Sequence, residues 1–299
     1  MKFDNFRTLL TKNINDAKII LGSASYDLGC SCGSGTKDAP KKLKELSGYL
    51  PLYDTNFHNL EDVSIYDYCD IDQDELINNQ NFYDVLYEKA KEILDHNKFM
   101  LFFGGDHSIS IPLEKAFFEK YQKEGKKPVI IHIDAHMDIL DTYMDSNMSH
   151  ACPNRRAIDN GYLPSDIHMV GIRSFEKEEV EFKEQNPSLD VITSDMFRRM
   201  GPTEVAKRII NAHGDDAAYY ISFDIDAIDP SFAPGTGTPE SFGLTPLELR
   251  EFFSEIFANV NVFAMDLVEI SPSLDVNDIT SWLGLKMLYE IFYFKFIRG

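Results

Sequence analysis

The chain has 299 residues, 43% hydrophobic and 26% charged, a composition that excludes fibrous, collagenous and disordered proteins and suffices for a large core. Its 29 basic and 49 acidic residues give a formal charge of −20, which would repel a phosphate backbone, so we expect no nucleic-acid partner. The sequence has neither a signal-peptide pattern nor an apolar run long enough to span a membrane, so we expect a cytoplasmic protein with no membrane partner.

Short apolar runs alternate with amphipathic segments along the chain. The runs predict buried strands at 17–22, 99–103, 128–133, 167–172, 218–223 and 262–268. Helical spacing predicts helices at 82–96, 111–124, 176–185, 203–213 and 246–258. Thr245, Pro246 and Glu248 fit the N-cap, first turn and capping box of the last of these helices. The aromatic tail at 289–296 also has helical spacing, and we expect it to pack in the core.

This alternation predicts an α/β fold, because parallel strands need crossover connections and helices usually supply them. We expect a single domain over residues 1–299, built as a three-layer sandwich with a mainly parallel sheet and helices on both faces. In such folds the chemistry lies at the carboxyl ends of the strands.

Three of the predicted strands are followed at once by histidine and aspartate residues. The segments are GGDHS at 104–108, DAHMD at 134–138 and DIDAIDP at 224–230. Residues i and i+2 of an extended chain lie on the same side, so paired side chains in these segments can point into one crevice. Each segment alone is explained by an ordinary turn or helix cap, but packing gains nothing from three acidic strand ends. Together they predict a site made of His107, Asp134, His136, Asp138, Asp224 and Asp226.

Aspartates gathered in one pocket repel each other and destabilise the fold unless cations neutralise them. Carboxylate oxygens and imidazole nitrogens without a thiolate suit Mn²⁺ best, with Fe²⁺, Co²⁺, Zn²⁺ and Ni²⁺ as alternatives. Two such ions about 3.5 to 4 Å apart can share a water and lower its pKa. The residues therefore predict a two-metal hydrolase. We expect His132 to be a core or supporting histidine and not a ligand.

The three motifs, in this order and spacing, resemble those of the ureohydrolase family, which includes arginase, agmatinase, guanidinobutyrase, proclavaminate amidinohydrolase and formimidoylglutamase. The third motif extends over SFDIDAIDPSFAPGTGTPE at 222–240, and the likeness also covers VGIRSFEKEE at 170–179 and DLVEISPSLD at 266–275. The resemblance implies an arginase-like fold, two Mn²⁺ ions per chain and a homo-oligomer, a trimer or a hexamer.

The resemblance also implies a role for each residue of the site. One ion would be held by His107, Asp134, Asp138 and Asp224. The other ion would be held by Asp134, His136, Asp224 and Asp226. His150 falls where the family has a proton-shuttling histidine, and Glu269 falls where a carboxylate holds the guanidinium group. Asp226 would also receive the proton of the attacking water.

The expected substrate is a small cationic guanidino compound, agmatine, with urea and putrescine as products. The loop around His150 lacks the Asn- and Ser-bearing pattern with which arginase anchors an amino acid, and a charge of −20 favours a dication. Arg155 and Arg156 could instead bind a carboxylate tail, which leaves guanidinobutyrate, guanidinopropionate or a formimino acid open, besides arginine.

Two other classes of protein are also considered. A calcineurin-like phosphoesterase would need downstream histidine motifs that the sequence lacks. A catalytically inactive regulatory relative would be expected to have lost a ligand position, and all six are present. The cysteines, which we expect to be reduced, are too few for a structural zinc site: Cys30, Cys32, Cys69 and Cys152.

Overall fold

Eight parallel strands form one sheet in the computed structural model, which describes residues 5–31, 33–76 and 81–298. The strands are β1 Ile19–Ser25, β2 Ile65–Asp72, β3 Phe99–Gly104, β4 Pro128–Ile133, β5 Ile167–Ile172, β6 Asp190–Thr193, β7 Ala218–Asp224 and β8 Val262–Val268. Their order across the sheet is β2-β1-β3-β8-β7-β4-β5-β6, with every neighbouring pair parallel. The predicted α/β fold class is confirmed.

Helices cover both faces of the sheet and complete the three layers. They are α1 Ala39–Ser47, α2 Gln73–Leu76, α3 Phe82–Asp95, α4 Ser110–Lys123, α5 Pro153–Asp159, α6 Lys177–Gln185, α7 Ser194–Met200, α8 Pro202–His213, α9 Pro246–Asn259 and α10 Ile279–Phe296. Successive strand residues face opposite cores: Leu101 and Phe103 pack with the core that contains α9 and α10, whereas Met100 and Phe102 pack with that of α3 and α4.

The six predicted strands and five predicted helices are all present, with ends shifted by a few residues. The sequence interpretation missed the two outermost strands, β2 and β6, because both are only partly buried and neither has a continuous apolar run. It also gave no range for the short helices α1, α2, α5 and α7.

The predicted helix start and the predicted core helix near the end of the chain are confirmed. Thr245 Oγ1 accepts the Glu248 N–H at 3.2 Å, and Glu248 Oε2 accepts the Thr245 N–H at 2.7 Å, which completes the capping box of α9. In α10, Tyr289 and Phe292 are fully buried in the main core. None of the described helices is long and apolar enough to cross a membrane.

A histidine pair lies at the amino end of the sheet, where β5 and β6 begin. Nδ1 of the buried His168 is 2.9 Å from Asp190 Oδ2, and its Nε2 is 2.8 Å from Nε2 of His213 at the end of α8. Burial, together with the positive charge of His168 and Lys127, lowers the pKa of His213 to about 4. The folded protein therefore holds this imidazole neutral under mildly acidic conditions.

We predict that His213 makes the free energy of unfolding depend on pH below its ordinary pKa of 6.5. Below that pH the unfolded chain binds a proton that the folded chain does not, so stability falls as the pH drops from about 6.5 towards 4. His213→Gln keeps an N–H donor near His168 without a titratable group, so this variant should lose less stability. Urea unfolding of both proteins at about pH 8 and about pH 5 measures the difference. Equal losses in the two proteins would contradict the prediction.

Candidate metal centre and active site

Four neighbouring strands at the centre of the sheet bring the predicted site residues together. These strands, β3, β8, β7 and β4, are adjacent in that order. His107 follows β3, Glu269 follows β8, Asp224 ends β7 and Asp134 follows β4. Because the strands are parallel, their carboxyl ends meet at one edge of the sheet, and residues 162 positions apart come into contact there.

The first cluster, which we call the His107 group, consists of His107, Asp134, Asp138 and Asp224. Three carboxylate oxygens surround the His107 Nδ1 atom: Asp134 Oδ2 at 3.0 Å, Asp138 Oδ2 at 3.1 Å and Asp224 Oδ2 at 3.2 Å. Nδ1 and Asp134 Oδ2 are buried and have no hydrogen-bond partner among the described residues. One nitrogen facing three carboxylate oxygens fits a divalent cation that these atoms can share.

The second cluster, which we call the His136 group, consists of His136, Asp134 and Asp226. The His136 Nδ1 atom lies 3.4 Å from Asp134 Oδ1 and 3.2 Å from Asp226 Oδ2. Asp134 therefore offers one oxygen to each group. Asp224 contributes Oδ2 to the His107 group while its Oδ1 accepts the Asp226 N–H at 2.8 Å, so its part in the second group stays a prediction.

Backbone N–H groups orient the three most buried aspartates of the site. Oδ1 of Asp134 accepts the His136 N–H at 2.6 Å, and Oδ1 of Asp226 accepts the Ala135 N–H at 3.1 Å. The Oδ2 atoms of Asp134, Asp224 and Asp226 consequently face the two imidazoles.

The buried carboxylates repel each other strongly. Burial, with the charges of Asp226 and Asp134, raises the pKa of Asp224 well above its ordinary value. Burial and the charge of Asp134 raise the pKa of Asp226 in the same way. Such groups ionise together only beside compensating positive charge. The unpartnered atoms, the donor types and this repulsion all fit two divalent cations.

His150 is held between a loop serine and Glu269. Its Nδ1 atom is 3.2 Å from Glu269 Oε1, and its Nε2 atom accepts the Ser31 N–H at 3.2 Å, with Ser31 Oγ at 3.0 Å. Burial of the ring lowers the pKa of His150, but the hydrogen bond to Glu269 and its charge outweigh this effect and raise the pKa to about 9. Nδ1 is therefore the ring nitrogen that faces Glu269, and Nε2 is the one that faces Ser31.

A cleft of about 150 Å³ opens beside both groups. Its lining includes four acidic side chains and, among the described residues, no lysine or arginine. The lining residues are Ser31, His136, Asp138, Leu140, Tyr143, His150, Ala151, Ser174, Phe175, Glu176, Glu179, Asp224 and Thr238. Glu269 is 2% exposed and does not line the cleft, because the imidazole of His150 contacts its carboxylate.

Arg155 and Arg156, which could have bound a substrate carboxylate, make other contacts. Nη2 of Arg156 lies 2.5 Å from Asp141 Oδ1 and 3.0 Å from Asp159 Oδ2. Arg155 lies over the ring of Phe182, with 5.0 Å between its Cζ and the ring centroid. Neither side chain lines the cleft, so these arginines do not give it an anion-binding wall.

His132 and the cysteines are the remaining sequence candidates. The fully buried His132 lies beside the centre, with its Nε2 atom 3.2 Å from Asp134 Oδ2 and its ring stacked on that of His107. It can itself join a metal-holding cluster with those two residues. Cys30, Cys69 and Cys152 are free thiols, as expected, and burial raises the pKa of the Cys30 thiol. Cys32 lies outside the described residues.

The sequence interpretation missed four residues that contact the site: Ser31, Ser222, Arg173 and Thr238. Ser31, Arg173 and Thr238 offer neither ligand nor acid–base chemistry in a recognisable pattern, so composition and spacing carry no signal for them. Ser222 alone could have been found, because it lies two positions before Asp224 on the same strand and therefore on the same side.

Known proteins resemble the chain over most of its length. The arginase family matches residues 17–293. An agmatinase from Bacillus cereus is 32% identical, covering 93% of this chain and 92% of the relative, and a guanidinobutyrase from Pseudomonas aeruginosa is 30% identical, covering 89% and 82%. The crystallised proclavaminate amidino hydrolase from Streptomyces clavuligerus has a TM-score of 0.84 at 26% identity, covering 99% of this chain and 97% of that one.

We predict that the protein binds two divalent ions per chain and that two aspartates affect them separately. Asp138 faces only the His107 group and Asp226 only the His136 imidazole, so Asp138→Asn and Asp226→Asn should each weaken a different ion, by roughly tenfold or more. Calorimetric titration of the metal-depleted protein with Mn²⁺ measures both steps, and the exposed Asp145→Asn serves as a control. A single ion in the unaltered protein, or the same step weakened in both variants, would refute this arrangement.

Proposed function

This chain belongs to the arginase family of ureohydrolases, and from that premise we propose that it hydrolyses agmatine to urea and putrescine. The observation that carries the choice of substrate is the cleft, which is lined by acidic side chains and by no lysine or arginine of the described residues. Agmatine carries a positive charge at each end, a guanidinium and a primary ammonium, so both ends match this lining and the charge of −20.

We propose that two Mn²⁺ ions are held by His107, Asp134, His136, Asp138, Asp224 and Asp226. Hard carboxylate oxygens mixed with imidazole nitrogens favour this ion, and the unpartnered His107 Nδ1 and Asp134 Oδ2 atoms fit it. When bound, the ions would lower the pKa of a water and make it a nucleophile near neutral pH. Asp226 would accept a proton from that water as it attacks the guanidinium carbon.

Glu269 would bind the guanidinium group. Its Oε1 atom already accepts the His107 N–H at 2.8 Å, which fixes the carboxylate relative to the His107 group. A planar guanidinium can donate two parallel hydrogen bonds to one carboxylate. Since the His150 ring now contacts this carboxylate, the substrate would have to displace that contact to reach it.

His150 would protonate the leaving amine. Its raised pKa depends on Glu269, so pairing of Glu269 with a guanidinium cation would remove that stabilisation and lower the pKa of His150 towards its ordinary value. A proton held at Nδ1 then becomes easier to donate when the carbon–nitrogen bond breaks. Attack of water, cleavage of that bond and protonation of the amine yield urea and putrescine.

The outer part of the cleft favours an ammonium over a carboxylate. Glu176, Phe175 and Tyr143 all line the cleft, and the Glu176 side chain is exposed to solvent. Glu179, in contrast, is buried, and its oxygens accept the N–H groups of Ile139 and Glu176, so it stabilises the wall. A guanidino acid would place its carboxylate near Glu176, with no arginine of the cleft to neutralise it. Glu176 is therefore the residue that we expect to contact the ammonium end.

We predict that agmatine, with Mn²⁺ added, gives a kcat/KM at least about tenfold above those of arginine, guanidinobutyrate and guanidinopropionate, a difference of about 1.4 kcal/mol in transition-state binding. Urea release across this panel measures it. If a guanidino acid or arginine gave the highest kcat/KM, agmatine would be the wrong substrate, whereas the family assignment would stand.

We predict that Glu176→Gln raises KM for agmatine with little change in kcat, because the lost charge contacts the non-reacting end of the substrate. Glu178→Gln, which removes an exposed carboxylate outside the cleft, is the matched control and should behave like the unaltered enzyme. Steady-state kinetics on both variants test this contact. If both substitutions raised KM equally, the effect would come from the net charge of the protein, and the proposed contact of Glu176 would be contradicted.

We predict that His150→Ala retains both metal ions and lowers kcat by roughly a factor of a hundred to ten thousand, as expected for a positioned acid or base. Its ring contacts Glu269 and Ser31 but none of the aspartates of the two groups, so metal binding should not change. Elemental analysis and urea release separate the two effects. Unchanged turnover would remove His150 from the mechanism.

A further inference from the structure

Behind the His107 group, a chain of hydrogen bonds runs from the imidazole into the core. The His107 Nε2 atom is 2.8 Å from Ser222 Oγ, and Ser222 Oγ donates to Asp266 Oδ1 at 2.9 Å. Because the serine hydroxyl donates to the carboxylate, its oxygen is free to accept a hydrogen bond from the Nε2–H of His107. The lone pair of the imidazole then lies on Nδ1, the nitrogen that faces the three carboxylates.

Asp266 is a fixed end point for this chain of hydrogen bonds. It is fully buried, and its Oδ2 atom accepts the hydroxyls of Ser110 at 2.8 Å and Tyr220 at 2.6 Å. Its Oδ1 atom also accepts the Phe223 N–H at 3.2 Å. These donors fix the orientation of the carboxylate, which in turn keeps the Ser222 hydroxyl in one orientation.

A different network supports the His136 group through Arg173. This guanidinium donates to five backbone carbonyls: Asp226 at 2.6 Å, Glu240 at 2.8 Å, Gly171 and Ser241 at 3.1 Å, and Ala227 at 3.3 Å. It thereby ties β5, the segment after β7 and the loop around 240 together. In that loop Thr238 Oγ1 donates to Asp226 Oδ2 at 3.3 Å, so the arginine holds both the backbone of Asp226 and the loop that contacts its carboxylate.

We infer that the two metal groups are positioned separately, the His107 group by Asp266 acting through Ser222, and the His136 group by Arg173. No residue named in one network appears in the other, and Asp134 is the carboxylate that contacts both imidazoles. Ser222 contacts a ligand side chain, Arg173 contacts the backbone of a ligand, and Asp266 acts through Ser222. All three are therefore positioning residues. The inference rests on the proposed function in one respect, the presence of two ions.

Titration of metal-depleted protein with Mn²⁺, followed by calorimetry, tests the inference without reference to activity. Asp138→Asn and Asp226→Asn first identify which binding step belongs to which group. Ser222→Ala should then weaken the step of the His107 group by about 10-fold to 100-fold and leave the other step unchanged. Arg173→Lys should do the reverse, because a lysine cannot reproduce the planar fork that reaches several carbonyls.

The chain offers a matched control for each substitution. Tyr220→Phe removes a hydroxyl from the same Asp266 carboxylate without touching Ser222 or His107, so the affinity of both steps should be kept. Arg198→Lys alters an arginine that donates to Phe242 and Gly243 of the same loop but not to Asp226, and both steps should again be kept. Circular dichroism confirms folding, and Asp266→Asn replaces Ser222→Ala if that variant does not fold.

The inference would be overturned if Ser222→Ala or Arg173→Lys weakened Mn²⁺ binding equally at both steps. It would also be overturned if neither variant weakened binding at any step. Weakening by the two controls as large as by the test variants would overturn it too, since the effect would then be general loss of stability. The proposed substrate is tested separately from this inference. If the protein binds two ions separately but releases urea from no guanidino compound, agmatine hydrolysis is refuted and the two networks are still supported.

Discussion

Repulsion among buried carboxylates is the constraint on which the rest of this site depends. Asp134, Asp224 and Asp226 are at most 2% exposed and lie at the ends of adjacent strands, where nothing in apolar packing would stabilise them. Backbone N–H groups satisfy one oxygen of each, which orients the other towards an imidazole. Such carboxylates are ionised together only beside compensating positive charge, which the two proposed divalent cations would supply.

Two residues of the candidate site adopt left-handed backbone conformations that the surrounding structure must impose. Asp138 has a φ of 50° and Glu269 a φ of 62°, a region that costs a non-glycine residue about 1 to 2 kcal/mol. The Glu269 N–H is held by the Gly105 carbonyl at 2.9 Å, and Gly105 itself has no room for a Cβ, which would lie 1.8 Å from the Tyr26 carbonyl oxygen. These contacts turn the Glu269 carboxylate towards His107 and His150.

The strands that could be predicted are those that are buried on both faces, because such strands have a continuous apolar run in the sequence. Strands β3, β4, β5, β7 and β8 have such runs, and their predicted ranges agree with the structure to within one residue. Strands β2 and β6 pair on one side only, so their sequences mix charged and apolar residues and carry no comparable signal. Their place in the sheet is decided by pairing with β1 and β5, which local sequence does not encode.

The sequence by itself determined the donor types of the site, because histidines and aspartates directly after buried strands have no role in packing. It also determined that these residues would converge, since parallel strands present their carboxyl ends at one edge. Only the tertiary structure decided which oxygen faces which imidazole, that Arg155 and Arg156 make contacts away from the cleft, and that Ser222 and Arg173 support the two groups. Those outcomes depend on contacts between residues far apart in the chain, whose relative positions are fixed only when helices and strands pack.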